Sequence, residues 1–205
     1  TWAVELRPGP GTRRGADQRQ YHDLRSGKKL DVAGLVKPPS GKAFNPRAVW
    51  SGKRSRVPKA FHAVVTTDAT WIQLKEHMFG KAVPQAFGRV DFTKEVLLVV
   101  SAGNGWNCSG ISVEAAFEDD ARLLVRTQHR TFQTMNGGEK VRPWGVFVLP
   151  RRTAKAYVVE RNRQRLIAGP ALWTESYRLV RLGKPSEELA GLPSATDEPH
   201  EGWAR

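Results

Sequence analysis

The residues of this chain that could do covalent chemistry are few and far apart. Cys108 is the single cysteine, and with His129 as a general base it could act as a thiolate nucleophile. No third group that would orient the base accompanies the pair, and no signature context surrounds it. A cysteine in this setting is more often a small, partly buried residue at the start of a strand. We therefore expect no catalytic residue and a chain that is not an enzyme.

Metal and cofactor patterns are missing as well. No two histidines have the H-x-H or i, i+4 spacing of a metal site. The five histidines are His22, His62, His77, His129 and His200. Three acids in a row, Glu118 to Asp120, are typical of a solvated turn rather than a calcium site. No glycine-rich loop precedes a helix to cradle phosphate. The sequence predicts no metal, no cofactor and no small-molecule substrate.

The positive charge lies mainly on the amino-terminal side of the chain. The 205 residues carry a formal charge of +13. Residues 1–59 hold 14 Lys and Arg against 4 Asp and Glu, residues 60–160 hold 12 against 10, and residues 161–205 hold 7 against 6. Such a field favours nucleic acid, anionic lipid or an acidic protein face as partner. No window approaches the ~18 consecutive apolar residues of a spanning helix, so we expect no transmembrane helix.

The periodic apolar patterns predict one small domain over residues 60–160. Residues 61–66 and 96–101 have the composition of strands, and alternating strands follow up to residue 159. Between them, Trp71, Leu74 and Met78 recur at helical spacing, with Asp68 as a candidate N-cap and Gly80 as the end. The pattern indicates an α+β to mainly β fold: a small antiparallel sheet or sandwich with one short helix at 68–79.

The remaining residues read as long irregular extensions. Residues 1–59 form a basic arm broken by Pro and Gly, and residues 161–205 form a second extension in which 172–180 could be a strand or a short helix. Because apolar residues are sparse in these segments, the surface that the segments could bury by themselves cannot offset the entropy they would lose on becoming ordered. Tryptophans in an extension therefore point to partner contact, because Trp anchors interfaces with few rotatable bonds. The partner-binding candidates are Trp2, Arg13, Arg14, Trp50, Lys53, Arg54, Arg56, Trp173 and Trp203.

The same basic arm has a second interpretation as an RNA-binding tail. Arg13-Arg14, Lys28-Lys29 and Lys53 to Arg56 could neutralise phosphates, with Phe44 and Trp50 available for base stacking. A ribosome-type subunit combines a small domain with tails of this kind. No zinc finger, RRM signature or KH loop supports sequence-specific recognition. The same charges could also bind an acidic protein or an anionic membrane surface.

Several motifs in residues 61–160 resemble a known family. These are Trp71 in the helix, Val90 to Phe92 before the apolar run 96–100, the turn Gly103 to Gly105, Ser109 to Ile111, and Pro143-Trp144. Together they resemble the C-terminal domain of the PrcB family, a protease-complex stability factor. The resemblance implies a non-enzymatic accessory subunit of a larger bacterial protein assembly, with or without a membrane association. It also implies an extracytoplasmic protein, periplasmic or secreted, matured by removal of a leader.

A weaker likeness connects three other segments with chagasin-type cysteine-protease inhibitors. Residues 107–110, 137–138 and 142–144 look a little like the three inhibitory loops of that family and occur in the same order. Gly138 and Arg142 are four residues apart, a spacing that predicts no strand between two separate loops. We therefore rank inhibition below the accessory role and below RNA binding.

Overall fold

The structure is a computed structural model that describes the central part of the chain with side chains and several outer strands by their backbone. The described residues are 43–81, 83, 87–118, 122–135, 137–151, 192, 194 and 195, plus the strand backbones at 2–5, 21–22, 29–30, 156–165 and 172–181. Fourteen strands and one helix lie within these ranges. No helix among them is long and apolar enough to span a bilayer, as expected.

The elements follow one another in a strand-rich order. The strands are β1 (Trp2–Glu5), β2 (Tyr21–His22), β3 (Lys29–Leu30), β4 (Ala43–Phe44), β5 (Ala48–Gly52), β6 (Phe61–Val65), β7 (Glu95–Ser101), β8 (Gly105–Trp106), β9 (Cys108–Glu118), β10 (Arg122–Thr131), β11 (Lys140–Val141), β12 (Trp144–Pro150), β13 (Ala156–Arg165) and β14 (Leu172–Arg181). The helix is α1 (Asp68–Phe79), between β6 and β7.

The strands form two larger sheets and two small ones. The orders are β1-β14-β13-β10-β9-β4 and β5-β12-β7-β6, with β8–β11 and β2–β3 as two-stranded pairs. Most pairs are antiparallel, so the expected fold class is confirmed. One pair, β10 with β13, is parallel. The intervening chain contains β11 and β12 and is long enough for the crossover that parallel strands require.

The chain divides into two compact units. The first takes the described parts of residues 1–45, 113–129 and 153–181, and the second those of 46–112, 130–152 and 182–205. In the second unit α1 packs on one face of the four-stranded sheet, with Trp71, Leu74 and Met78 in the hydrophobic core. Residues on the opposite face, such as Leu98 and Phe147, are buried too. Burial on both faces accounts for the continuous apolar runs of β7 and β12.

The helix begins and ends for identifiable reasons. Thr67, not the expected Asp68, is the N-cap: its backbone is extended, and its hydroxyl accepts the amide N–H of Thr70 at 3.2 Å. Asp68 is the first helical residue, where a carboxylate is stabilised by the positive end of the helix dipole. Gly80 ends the helix at φ 57°, and its N–H donates to Glu76 at 2.7 Å, so the expected end is confirmed.

The folded part begins earlier than the expected boundary near residue 60. Strand β5 pairs with β12, with Trp50 opposite Val146, and the Arg47 N–H donates to Val148 at 3.0 Å. The arm is therefore shorter than residues 1–59. Strand β5 is five residues long and lies beside a basic loop, so its composition resembles that of an arm. In the other extension, β14 pairs with β13 and β1, which makes residues 172–181 a strand rather than a helix.

Candidate functional site

Three loops of the second unit meet at one end of the four-stranded sheet. At this end β5 stops at Gly52, β7 stops at Ser101, and Trp144 at the start of β12 stands opposite both residues. The loops are residues 51–60, 101–110 and 130–143, and we call them together the basic loop end. Backbone hydrogen bonds join them: Arg142 N–H donates to Lys53 at 2.9 Å, and Asn104 N–H donates to Pro58 at 2.8 Å.

Positive charge dominates the basic loop end. Its three segments hold seven Lys and Arg residues and a single acidic residue, Glu139. The cations are Lys53, Arg54, Arg56, Lys59, Arg130, Lys140 and Arg142. Glu139 already faces Lys53, whose ammonium lies 2.7 Å from its carboxylate. Arg54, Lys59 and Arg130 are exposed to solvent. The surface is thus an electropositive patch built by the fold rather than by a tail.

The opposite end of the same sheet is electrostatically balanced. Residues 45–47, 66–68, 87–95 and 150–151 hold four cations and three acids. Arg47 donates to both carboxylate oxygens of Glu95, and this hydrogen bonding lowers the pKa of Glu95. The hydroxyl and N–H of Thr93 donate to Asp91 and likewise lower the pKa of Asp91. Two ion pairs, Arg47 with Glu95 and Lys94 with Asp91, lie at this end, so the two ends differ in what they offer a partner.

A buried arginine and a buried tryptophan hold the loop 53–60 in place. The Arg142 guanidinium is 4% exposed and donates to the Asn104 side chain at 2.9 Å and to the Arg56 carbonyl at 3.1 Å. The indole N–H of Trp144 donates to the Arg54 carbonyl at 2.9 Å. Donors of this kind satisfy loop carbonyls that would otherwise be buried unpaired. The exposed cations of the loop are therefore presented on a fixed backbone.

A second feature of the basic loop end is a lobe that exposes a tryptophan. We define the Trp106 lobe as residues 105–107, 132–135 and 137–141. Trp106 is 49% exposed, and Met135 is 98% exposed. Strands β8 and β11 pair so that Lys140 stands opposite Trp106, and the ammonium lies 5.3 Å from the ring centroid. A large half-exposed aromatic beside a cation is a typical interface anchor.

The lobe is held by Asn107 in a left-handed conformation. Asn107 has φ 49°, a region that Asn tolerates better than most residues. Its N–H donates to the Glu139 carbonyl at 2.8 Å, and its side-chain oxygen accepts the Glu139 N–H at 2.6 Å. Its own carbonyl accepts the N–H of Phe132 at 2.9 Å. Three bonds on one residue join the loop before β9 to the segment after β10.

The residues predicted as partner contacts fall into different places. Trp50 is half-buried, and its ring packs edge-on against Phe87 at 5.4 Å within its own unit. Lys53, Arg54 and Arg56 lie in the basic loop end; of these three, Arg54 is exposed and the other two are half-buried. Two further candidates, Trp2 and Trp173, lie in β1 and β14, whose side chains are outside the description. The last three, Arg13, Arg14 and Trp203, lie outside the described residues.

The candidates for chemistry sit in structural positions. Cys108 is buried, and its thiol donates to the Gly110 carbonyl at 3.3 Å. His129 is also buried, at 4% exposure. Within the described ranges no three His, Cys, Asp or Glu side chains come together in a way that could hold a metal ion. Asp119 and Asp120 lie outside those ranges. Cys108 stands at the start of β9, as expected, and is fully rather than partly buried.

The three inhibitor-like segments do converge on the basic loop end, but not in an exposed form. A two-residue strand, β11, separates Gly138 from Arg142, so the spacing argument against a strand there is wrong. However, Arg142 and Trp144 are both 4% exposed and point their donors at loop carbonyls. Side chains that are buried in their own domain cannot enter a protease cleft. The third segment of the inhibitor likeness, residues 142–144, is therefore not exposed as an inhibitory loop would have to be.

Sequence reasoning did not single out Trp106, Met135, Lys59 or Lys140. The signal for Trp106 was its place between Gly105 and Asn107, in a loop rather than in an alternating strand. No pattern in a single sequence indicates a role for Met135 or Lys140. Lys140 reaches the ring only because β8 pairs with β11. No family model matches this chain, and no curated protein or solved structure matches it either.

Proposed function

We propose that this protein is a non-catalytic accessory subunit that docks on a larger protein assembly through the basic loop end and stabilises it. The observation that carries the proposal is the Trp106 lobe: a half-exposed tryptophan, fixed by Asn107, at a loop end whose segments hold seven cations, with Arg54, Lys59 and Arg130 exposed, and one acid. Interfaces derive most of their binding free energy from a few preformed aromatic anchors, and complementary charge steers the encounter. The expected partner is therefore an acidic face of a protein complex.

The resemblance of residues 61–160 to the PrcB C-terminal domain supports the same role. It adds an extracytoplasmic location, periplasmic or secreted, and an assembly that stands at or near a membrane. The predicted tail contacts, among them Trp2, Arg13, Arg14, Trp173 and Trp203, would extend the contact area beyond the loop end. Tails that become ordered on binding can cover wide surfaces. Their affinity per unit area is lower, because ordering them costs conformational entropy.

RNA binding is the second candidate function, and one observation favours it. The excess of cations at the basic loop end would suit phosphates as well as carboxylates. The two candidates differ in salt dependence, since binding to RNA falls steeply with salt in proportion to the phosphates contacted. A Trp-anchored protein interface loses much less, because apolar burial is not screened by ions.

The test is capture of the full-length tagged chain from its native cell extract, with and without nuclease. A loop-end variant, Arg54→Glu with Lys59→Glu, is compared with an opposite-end variant, Arg89→Glu with Lys94→Glu, because all four side chains are exposed and both pairs remove equal charge. We expect one set of protein subunits to survive nuclease and moderate salt, to be lost with the loop-end variant and to be kept with the other. Loss on nuclease treatment would establish the RNA alternative instead.

A further inference from the structure

The two methionines of the chain lie in opposite environments. Met78 belongs to the buried face of α1 and is 0% exposed, whereas Met135 is 98% exposed in the Trp106 lobe. The third sulfur atom of the chain, in Cys108, is buried as well. Oxidants such as hydroperoxides react most readily with sulfur atoms that they can reach. Met135 is therefore the sulfur that a dissolved oxidant meets first.

Met135 stands on the turn that packs against Trp106. The hydroxyl of Thr134 donates to the Gly137 carbonyl, and this bond closes the turn that contains Met135. The next residue, Gly138, touches the indole so closely that a β-carbon there would lie 2.5 Å from a ring carbon. The two large apolar side chains exposed in this lobe are thus carried by segments that contact each other.

An exposed thioether in a docking surface is well suited to a partner contact. Methionine is unbranched and polarizable, so it adapts to the shape of an opposing surface. Burying the side chain is favourable only while it is apolar, since a sulfoxide needs a hydrogen-bond donor once water is removed. We propose, resting on the docking role above, that Met135 is a docking contact and an oxidation site, and that its conversion to the sulfoxide by a hydroperoxide weakens docking.

The reaction needs only the thioether and the peroxide. A lone pair on the Met135 sulfur attacks the terminal oxygen of the hydroperoxide, so that an S–O bond forms while the O–O bond breaks. The sulfur is oxidised by two electrons and the peroxide is reduced. The proton of the transferred oxygen passes to the departing oxygen, which leaves as an alcohol, or as water when hydrogen peroxide is the oxidant. Methionine sulfoxide reductases restore the thioether, one enzyme for each epimer, so the change is reversible.

The experiment treats the purified full-length tagged chain with hydrogen peroxide, removes the peroxide, and then measures capture of the assembly from native extract. Met135→Leu keeps an apolar side chain of similar size without the sulfur, and Met135→Gln makes the position polar without any oxidant. Peptide mass spectrometry locates the added oxygen, with the buried Met78 as the internal control. Thermal midpoints verify that the fold is retained, and the Arg54→Glu, Lys59→Glu variant is captured in parallel.

We expect oxygen to be added at Met135 well before Met78, and capture by the oxidised wild type to fall several-fold. Treatment with both reductases should restore it. Met135→Leu should capture the assembly like the untreated wild type, with or without peroxide, whereas Met135→Gln should capture it weakly without peroxide.

Two results would overturn the inference while the docking role stands, provided that the loop-end charge variant still loses the assembly. One is undiminished capture by a chain oxidised at Met135, and the other is an equal loss of capture when Met135→Leu is treated with peroxide. If the loop-end charge variant instead keeps the assembly, the docking role itself fails, and the role of Met135 fails with it.

Discussion

Gly103 shows how a single residue fixes the loop that carries the exposed cations. It is buried, has φ +67°, and lies against the backbone of residues 58–60. A β-carbon at this position would approach the Pro58 oxygen and the Ala60 nitrogen to 2.6 Å. Both atoms belong to the backbone, so they cannot rotate away as a side chain would. Glycine is therefore required here both by conformation and by space.

Gly103→Ala should destabilise the protein by about 2–4 kcal/mol, because left-handed strain and backbone overlap act together. Urea unfolding of the full chain measures the change. The matched control is Gly137→Ala, which has φ +84° and no neighbouring atom within 4 Å of the added carbon. It should cost only the conformational part, about 1 kcal/mol. Equal costs for the two variants would contradict the close approach at Gly103.

The tryptophans show what can and cannot be inferred from sequence at the residue scale. The spacing of Trp71 from Leu74 predicts that Trp71 lies on the buried helix face, and it is 3% exposed. The composition around Trp50 predicts a tail, yet the Trp50 ring packs on Phe87. No pattern around Trp106 predicts its exposure, yet it is 49% exposed. Periodicity identifies a buried face, whereas exposure of a loop residue depends on pairing between distant segments.

Elements with a strong internal pattern were predictable, and short elements were not. Helix 68–79 and the strands at 61–65 and 95–101 follow from spacing and composition, with an error of one residue at the N-cap. Strand β5 was missed because five residues between polar segments carry too little periodicity. Apolar and polar residues alternate over 111–118, which predicts that one face with Ile111 is buried, but Ala116 on the opposite face is buried as well. The division between the two units falls within β9, after residue 112.

The bond between Arg47 and Glu95 links the start of β5 to the start of β7 and should make stability depend on pH. The folded-state pKa of Glu95 is lowered, chiefly by the hydrogen bond from Arg47. Its contribution is therefore fully present above its unfolded pKa, near 4.5, and is lost as the pH falls through the lower folded value. Arg47 is 53% exposed, so solvent keeps the contribution to about 1 kcal/mol.

We therefore expect the difference in unfolding free energy between the wild type and Glu95→Gln to be constant above about pH 5 and to shrink below pH 4.5. Denaturant titrations at pH 3 to 7 measure it. The control is Glu76→Gln, an exposed glutamate of α1, whose difference from the wild type should stay small throughout. A difference between wild type and Glu95→Gln that grows toward acid pH would show that Arg47 does not stabilise the ionised carboxylate.

At the scale of the second unit, the fold separates charge between the two ends of one sheet. The sequence shows the excess of cations but assigns it to an arm, since composition along the chain cannot reveal which loops share an end. Pairing of β12 with both β5 and β7 gathers residues 51–60, 101–110 and 130–143 at one end. The ion pairs of Arg47 with Glu95 and of Lys94 with Asp91 lie at the other. We therefore expect the second unit to present its basic loop end to an anionic surface.

Retention of the full chain on a sulfonate cation exchanger tests that orientation without any knowledge of the partner. The Arg54→Glu, Lys59→Glu variant and the Arg89→Glu, Lys94→Glu variant have the same net charge, so a molecule adsorbing at random would elute identically with either. If the basic loop end contacts the resin, only the loop-end variant should reduce the magnitude of the slope of log retention against log salt. The reduction should be roughly two, one for each lost contact, because each contact releases a counterion as it does on phosphates. Identical slopes would mean that charge outside the loop end controls adsorption, and the electropositive patch would then lose its role in steering.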